Sequence, residues 1–237
     1  MSQDQCIAVI VAAGMGRRMG GPVSKQFMEL KGRPVLAWTL DAFQKSHRIT
    51  GIVLVVTAGQ EDYVQLHIVN YYGFTKVRKI CAGGAERYDS VYRGLKAAGT
   101  IADRCDYVFI HDGVRPFVTE EIIDRGYLVA QGYGNAVCGM PSKDTVKIVD
   151  ANGVVKETPP RAQVWTVQTP QIFRYNEIVE AYEKLQGTDM KGITDDAMVM
   201  EAAGRGAVRM FTGSYTNIKL TTPEDLILAE RFLEKRQ

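Results

Sequence analysis

Long apolar runs are missing from this sequence. None approaches the roughly 18 residues that a membrane-spanning helix requires, so no membrane association is expected. Cysteines are few, and the four present (Cys6, Cys81, Cys105, Cys138) form no CxxC pair. That excludes a zinc knuckle and a redox dithiol and leaves reduced thiols packed as small hydrophobes. Histidines number three (His47, His67, His111) and lie far apart, which gives no support for acid–base hydrolysis by a Ser/His/Asp constellation. An excess of either charge is also lacking: Lys plus Arg number 29 against 27 for Asp plus Glu, a net charge of +2. So neutral a chain is not expected to bind nucleic acid or a membrane surface. The opening residues Met1-Ser2-Gln3-Asp4-Gln5 have neither the basic nor the apolar region of a signal peptide, and a cytoplasmic protein is expected. Repeats, low-complexity tracts and long linkers are absent as well.

What is present is an ordinary globular balance over 237 residues, 46% hydrophobic and 24% charged, enough to bury a sizeable core. Short Val/Ile-rich runs at Cys6 to Ala13, Gly51 to Thr57, Lys76 to Cys81, Asp106 to His111 and Ala136 to Met140 read as strands covered on both faces. Between them, Val35 to Lys45, Tyr88 to Ala98 and Glu120 to Gln131 carry helical spacing. Further helices are predicted at Tyr175 to Leu185 and Asp195 to Ala203, and a strand at Ala207 to Phe211. A last helix starts at Thr222-Pro223, a cap followed by a first-turn proline. This alternation predicts the α/β class: one Rossmann-like, doubly wound, mostly parallel sheet. Residues 142–168 break the rhythm with short alternating strands around the turn Asp150-Ala151-Asn152-Gly153. They read as a β-hairpin arm projecting from a single domain that spans residues 1–237.

The most informative segment follows the first strand: Ala12-Ala13-Gly14-Met15-Gly16-Arg17-Arg18-Met19-Gly20-Gly21, then Ser24-Lys25-Gln26. A glycine-rich loop after a strand lets backbone N–H groups approach phosphates. Glycines at 14, 16 and 20 do not make GxGxxG, which disfavours a dinucleotide-binding dehydrogenase, and no GxxxxGK[ST] occurs. Arg18 and Lys25 flank the loop at the carboxyl end of the first strand, where open α/β sheets bind ligands.

This loop with Ser24-Lys25-Gln26-Phe27 resembles that of the sugar-phosphate nucleotidyltransferases. Later motifs narrow the resemblance. Gly83-Gly84-Ala85-Glu86-Arg87-Tyr88-Asp89-Ser90-Val91, His111-Asp112-Gly113-Val114-Arg115-Pro116-Phe117, Gln168-Thr169-Pro170-Gln171, Thr194-Asp195-Asp196-Ala197 and Asn217-Ile218-Lys219-Leu220-Thr221-Thr222-Pro223 follow in order. As an ordered set over nearly the whole chain they resemble the 2-C-methyl-D-erythritol 4-phosphate cytidylyltransferase family.

The resemblance implies CTP and a small polyol phosphate as substrates, with magnesium on the CTP phosphates. It implies that Ala12, Ala13, Gly14, Gly16, Arg18 and Lys25 hold the triphosphate, and that Gly83, Gly84 and Ser90 surround the cytosine. Ala85 departs from the family pattern, where an acidic residue is frequent, so a side-chain contact there is lost. Asp112 resembles the family's substrate- and metal-proximal carboxylate, although no metal-ligand set is identified. Arg115, Thr145, Arg161, Thr169, Thr194 and Lys219 match positions on the acceptor side. Arg18, Lys25, Arg161 and Lys219 are the implied catalytic cations. Thr145 and Arg161 lie in the arm, which in the family crosses to the other subunit of a homodimer. His111 tempts a catalytic reading, but a histidine ending a buried strand is read as structural.

A phosphate monoester is mostly dianionic at neutral pH, so it needs positioning and relief from anion–anion repulsion rather than a general base. Direct attack on CTP, with pyrophosphate leaving and no covalent enzyme intermediate, is the expected mechanism. Two alternatives share the fold: a ribitol 5-phosphate cytidylyltransferase, and a non-catalytic nucleotide-binding protein. Gly16-Arg17-Arg18 and Thr194-Asp195-Asp196 favour methylerythritol over ribitol, and intact cations on both sides disfavour a pure binder.

Overall fold

The computed structural model of the chain describes residues 4–14 and 25–234, with only the backbone of Lys25. In chain order the elements are β1 (Cys6–Ala12), a 3-10 turn (Lys25–Phe27), β2 (Glu29–Leu30), β3 (Arg33–Pro34), α1 (Val35–Lys45), β4 (Ile49–Val56), α2 (Glu61–Val64) running into a π-helical stretch (Gln65–Asn70), and β5 (Val77–Ala82). Then come α3 (Arg87–Ala98), β6 (Tyr107–Asp112), α4 (Glu120–Tyr133), β7 (Asn135–Pro141), β8 (Ile148–Val149), β9 (Val155–Glu157) and a second 3-10 turn (Arg161–Gln163). The chain closes with β10 (Trp165–Arg174), α5 (Tyr175–Lys184), α6 (Asp196–Ala202), β11 (Met210–Thr212) and α7 (Pro223–Glu234).

Seven strands form the central sheet in the order β11-β7-β10-β6-β1-β4-β5, and β10 alone runs antiparallel to its neighbours. Side chains alternate across a strand, so the apolar run of β1 feeds two cores. Ala8 and Ile10 pack with Leu40 and Phe43 of α1 and Ile123 of α4. Ile7 and Val9 pack with Val91 and Leu95 of α3 and Tyr182 of α5. Continuous apolar strands are what a sheet covered on both faces demands. Register brings the carboxyl ends of four strands into one row: Val11 pairs with Asp112, Ala12 with Val56, and Val56 with Ala82. The free thiols of Cys6, Cys105 and Cys138 are pushed up to about 12 by burial, in keeping with packed, unreactive cysteines.

Three sequence expectations change. Residues 165–168 belong to β10 in the central sheet, so the segment outside the sheet closes earlier than 168; its hairpin is β8 and β9, a separate two-stranded sheet. The stretch 61–70, for which no element is expected, is helical. The strand expected at Ala207 to Phe211 is confined to Met210–Thr212.

Candidate active site

Asp112 ends β6 and is buried at the carboxyl edge of the sheet. Its Oδ2 is 3.0 Å from Lys219 Nζ and accepts a hydrogen bond from Arg115 Nε at 3.1 Å. Its Oδ1 faces Arg87 Nε at 3.7 Å. Burial alone would raise its pKa, but Lys219, then Arg87 and Arg115, outweigh burial and hold the carboxyl well below the usual range. It is ionised throughout the physiological range. Arg87, the first residue of α3, also grips Asp196, the first residue of α6: Nη1 reaches Oδ1 at 3.0 Å and Nη2 reaches Oδ2 at 2.7 Å. Tyr182 Oη donates to the same Asp196 Oδ1 at 2.7 Å. Three cations against two carboxylates leave one positive charge on this cluster, which suits a site for phosphate groups.

Two clefts meet on the cluster, and Arg87, Asp112 and Lys219 line both. The first, about 540 Å³, is bounded by Ala12, Ala13 and Gly14 at the end of β1 and by Gly83, Gly84 and Ser90 where β5 turns into α3. A Cβ on Gly83 would stand 2.4 Å from Ala13 Cβ, so the loop comes this close to β1 only with glycine there. Ser90 Oγ accepts from Gly84 N–H at 3.0 Å and donates to Glu86 O at 3.1 Å. Its proton is thus spent inside the loop, and it offers a ligand only a lone pair. The second cleft, about 480 Å³, is lined by Arg115, Thr169, Thr194 and Gln171 beside the shared trio. Gln171 holds the start of α6, with Oε1 accepting from the N–H groups of Asp196 and Ala197 at 3.0 Å each and Nε2 donating to Asp195 Oδ2 at 3.0 Å.

His111 occupies no cleft. Its Nε2 lies 3.2 Å from Arg115 O, an atom that can only accept, so Nε2 carries the proton. Neutral Nδ1 then accepts from Thr169 Oγ1 at 3.0 Å, and that oxygen takes the Asp112 N–H at 3.1 Å. Burial pushes the imidazole down to about 4. The histidine is a neutral brace between β6 and β10, as its place in the sequence suggests.

The structure therefore brings together Ala12, Ala13, Gly14, Gly83, Gly84, Ser90, Asp112, Arg115, Thr169, Thr194 and Lys219. Thr145 and Arg161 are exposed and line neither cleft of their own chain. Gly16 and Arg18 lie outside the described residues, as does the Lys25 side chain. Arg87 is the residue that sequence reasoning missed. It stands inside a quoted motif, but its partner is 109 positions away, and no local spacing signals such a pair.

Magnesium binds through one or two carboxylates plus substrate phosphates. Asp112 fits that demand, because among the described residues its Oδ1 has only Arg87 at 3.7 Å, beyond hydrogen-bond range. The His47, Glu120 and Asp124 trio lies elsewhere, and Arg48 already pairs with Asp124 at 2.6 Å.

An open α/β sheet with two clefts that meet on Arg87, Asp112 and Lys219 at its carboxyl edge suits an enzyme acting on phosphorylated substrates. Comparison with known proteins narrows this. The family model for IspD, 2-C-methyl-D-erythritol 4-phosphate cytidylyltransferase, matches residues 6–235. The chain is 47% identical over 229 residues to the 2-C-methyl-D-erythritol 4-phosphate cytidylyltransferase of Alkaliphilus oremlandii, covering 97% of this chain and 95% of that protein. To the protein of the same description from Geobacter metallireducens it is 46% identical, covering 97% of each. The crystal structure of 4-diphosphocytidyl-2C-methyl-D-erythritol synthase from Anaerococcus prevotii superposes with a TM-score of 0.86 at 36% identity, covering 98% of this chain and 97% of that one. The chain belongs to the 2-C-methyl-D-erythritol 4-phosphate cytidylyltransferase family.

Proposed function

We propose that the two clefts are the halves of one active site, CTP occupying the first and the acceptor phosphate the second. The chain is a cytidylyltransferase. It transfers CMP from CTP to 2-C-methyl-D-erythritol 4-phosphate, giving 4-diphosphocytidyl-2-C-methyl-D-erythritol and pyrophosphate, in isoprenoid precursor biosynthesis. The observation that carries the two-cleft reading is the wall of Arg87, Asp112 and Lys219 common to both. A phosphate in the acceptor cleft and the α-phosphate of CTP would lie on either side of the same charges.

In this reading a 4-phosphate oxygen attacks the α-phosphorus in line. The new P–O bond forms as the bond to the bridging oxygen of the β-phosphate breaks, and pyrophosphate leaves with that electron pair. The nucleophile is already anionic, so no side chain has to remove a proton, which agrees with a buried, neutral His111. Lys219, held by Asp112, reaches both clefts and offsets the charge gathering at the reaction centre. Arg18 and Lys25 are assigned the triphosphate, Gly83, Gly84 and Ser90 the cytosine, and Arg115, Thr169 and Thr194 the acceptor. Bound magnesium, with Asp112 as its carboxylate, would supply further neutralisation of the phosphates.

Thr145 and Arg161 are assigned to the acceptor of a neighbouring subunit. The segment that carries them is exposed and apolar at Ile148, Val149, Val154 and Val155, a hairpin that needs cover. A homodimer exchanging arms from single domains supplies it. Among the described residues no helix is long and apolar enough to cross a membrane, and a cytoplasmic enzyme is proposed. Pyrophosphate release from CTP, with methylerythritol 4-phosphate and ribitol 5-phosphate offered in parallel, tests the whole reading. Release is expected only with the first; equal rates with both would remove the acceptor assignment.

A further inference from the structure

Gln26 is 1% exposed, and neither its Nε2 nor its Oε1 has a hydrogen-bond partner among the described residues. Among the described residues it is the one buried side chain with both a donor and an acceptor unmatched; Arg33, Gln60 and Asn217 each leave a single atom. Buried amides are paired almost without exception, because the bonds to water lost on burial have to be replaced. A carboxamide brings two N–H donors and an acceptor oxygen, so the shortfall here is large. The residue lines the first cleft, together with Ala12, Gly14 and Val114. Its 3-10 turn packs on α1, and the next residue, Phe27, meets the Tyr63 ring at 5.4 Å between centroids. The backbone is thus anchored on the layer of α1 and α2, and the residue forms part of the cleft wall.

The turn bearing Gln26 and the Gly83–Ser90 corner come from opposite layers. Ser90 belongs to α3, which packs on the other face of the sheet from α1. We propose that Gln26 is a nucleotide-contact residue, its carboxamide paired with the ribose–phosphate stretch of bound CTP across the cleft from the base. This rests on the cytidylyltransferase reading, which seats the cytosine against Gly83 and Gly84 and places Lys25, the preceding residue, on the triphosphate. The ribose–phosphate stretch offers what the side chain lacks: anionic oxygens that accept from Nε2 and hydroxyls that donate to Oε1. Without nucleotide the amide is a local cost to folding, and with nucleotide it is a source of affinity.

Full-length wild-type protein, Gln26→Leu and Gln26→Met, both near the original volume, would be titrated calorimetrically with CTP and UTP and melted without ligand. Both variants are expected to bind CTP about tenfold or more weakly, with the CTP-to-UTP ratio of Kd unchanged. Ligand-free, they are expected to melt about 2–4 °C above wild type, because the unmatched amide is gone. Unchanged CTP affinity in both variants overturns the inference, as does a lower melting point in both, which places the partners of the amide inside the protein. A collapsed CTP-to-UTP ratio overturns it too by moving the contact onto the base. If wild type itself fails to bind CTP, the cytidylyltransferase reading falls instead.

Discussion

Arg87 and Asp196 meet fork to fork, two parallel hydrogen bonds joining the first residue of α3 to the first residue of α6. The carboxylate is fully buried, and α3 borders the first cleft while α6 borders the second. The pair therefore sets the spacing of the two clefts. Arg87→Met leaves a buried carboxylate without its cation and is expected to cost about 3–5 kcal/mol of folding stability. Arg87→Met with Asp196→Leu removes both charges and should lose less than the sum of the single changes, with a coupling of about 1–3 kcal/mol in urea unfolding. A coupling near zero would show that the two side chains do not depend on each other.

Gly83→Ala places a methyl 2.4 Å from Ala13 Cβ and 2.8 Å from Ser90 Oγ. Ala13 Cβ is fixed by its backbone, so the loop has to retreat, at about 1–3 kcal/mol. Steady-state kinetics should show kcat/KM for CTP falling by about tenfold or more. Gly132→Ala, on α4 with no atom within 4 Å of the new Cβ, should leave kinetics alone and stabilise the fold by about 0.4–1 kcal/mol. Equal effects at the two positions would remove the close-approach argument.

Arg161 is exposed and lines neither cleft of its own chain, so its assigned role requires a neighbour. Arg161→Ala should impair use of the acceptor and leave CTP binding nearly unchanged, whereas Lys25→Ala should lower kcat by about 10²-fold or more. Mixed heterodimers of the two inactive variants should regain activity at the one site that joins an intact loop to an intact partner arm. By symmetry that recovery cannot exceed about half per heterodimer. Verified heterodimers that stay silent would place Arg161 in its own subunit.

Burial pushes the His111 imidazole down to about 4 in the folded protein, against 6.5 for an unperturbed imidazole. Between those values the unfolded chain binds the extra proton, so stability is complete above about pH 6.5. It falls by about 1.4 kcal/mol for each pH unit down to about 4 and then levels off for this group. His111→Gln should flatten that part of the stability–pH curve in urea titrations. A slope unchanged by the substitution would mean that His111 is not buried neutral.

Much of the scaffold was legible because its signals are local. Val35 to Lys45 read as a helix with the ends it has, and the apolar runs of β1, β4 and β6 announced strands covered on both faces. The run at Lys76 to Cys81 is instead the edge strand β5, with Arg78 and Lys79 exposed. β10 was not legible. Gln168, Thr169, Pro170 and Gln171 interrupt its apolar pattern, and a proline argues against a central strand. Those residues depart from the pattern because they hold neighbouring elements: Thr169 braces His111 and Asp112, and Gln171 seats α6. Asp112, Lys219 and Thr194 are named by motif order rather than by any spacing that shows them meeting. The Arg87–Asp196 link and the unmatched amide of Gln26 are tertiary facts, invisible until the layers are stacked.

The antiparallel placement of β10 also sets where this chain can change length. One strand carries the return from the arm, the hydroxyl of Thr169 and the amide of Gln171. Its pairing changes phase between Val167 and Gln171, just where those groups sit. A single residue inserted between 165 and 174 would send every later side chain of the strand to the opposite face. It would thereby unseat α6 and unbrace Asp112 together. Within a single chain the hairpin tip has no such obligation, since Gly153 has open space around it and its neighbours are exposed. Length variation among viable descendants of this sequence should therefore collect at residues 150–154 and be purged from the ten residues of β10.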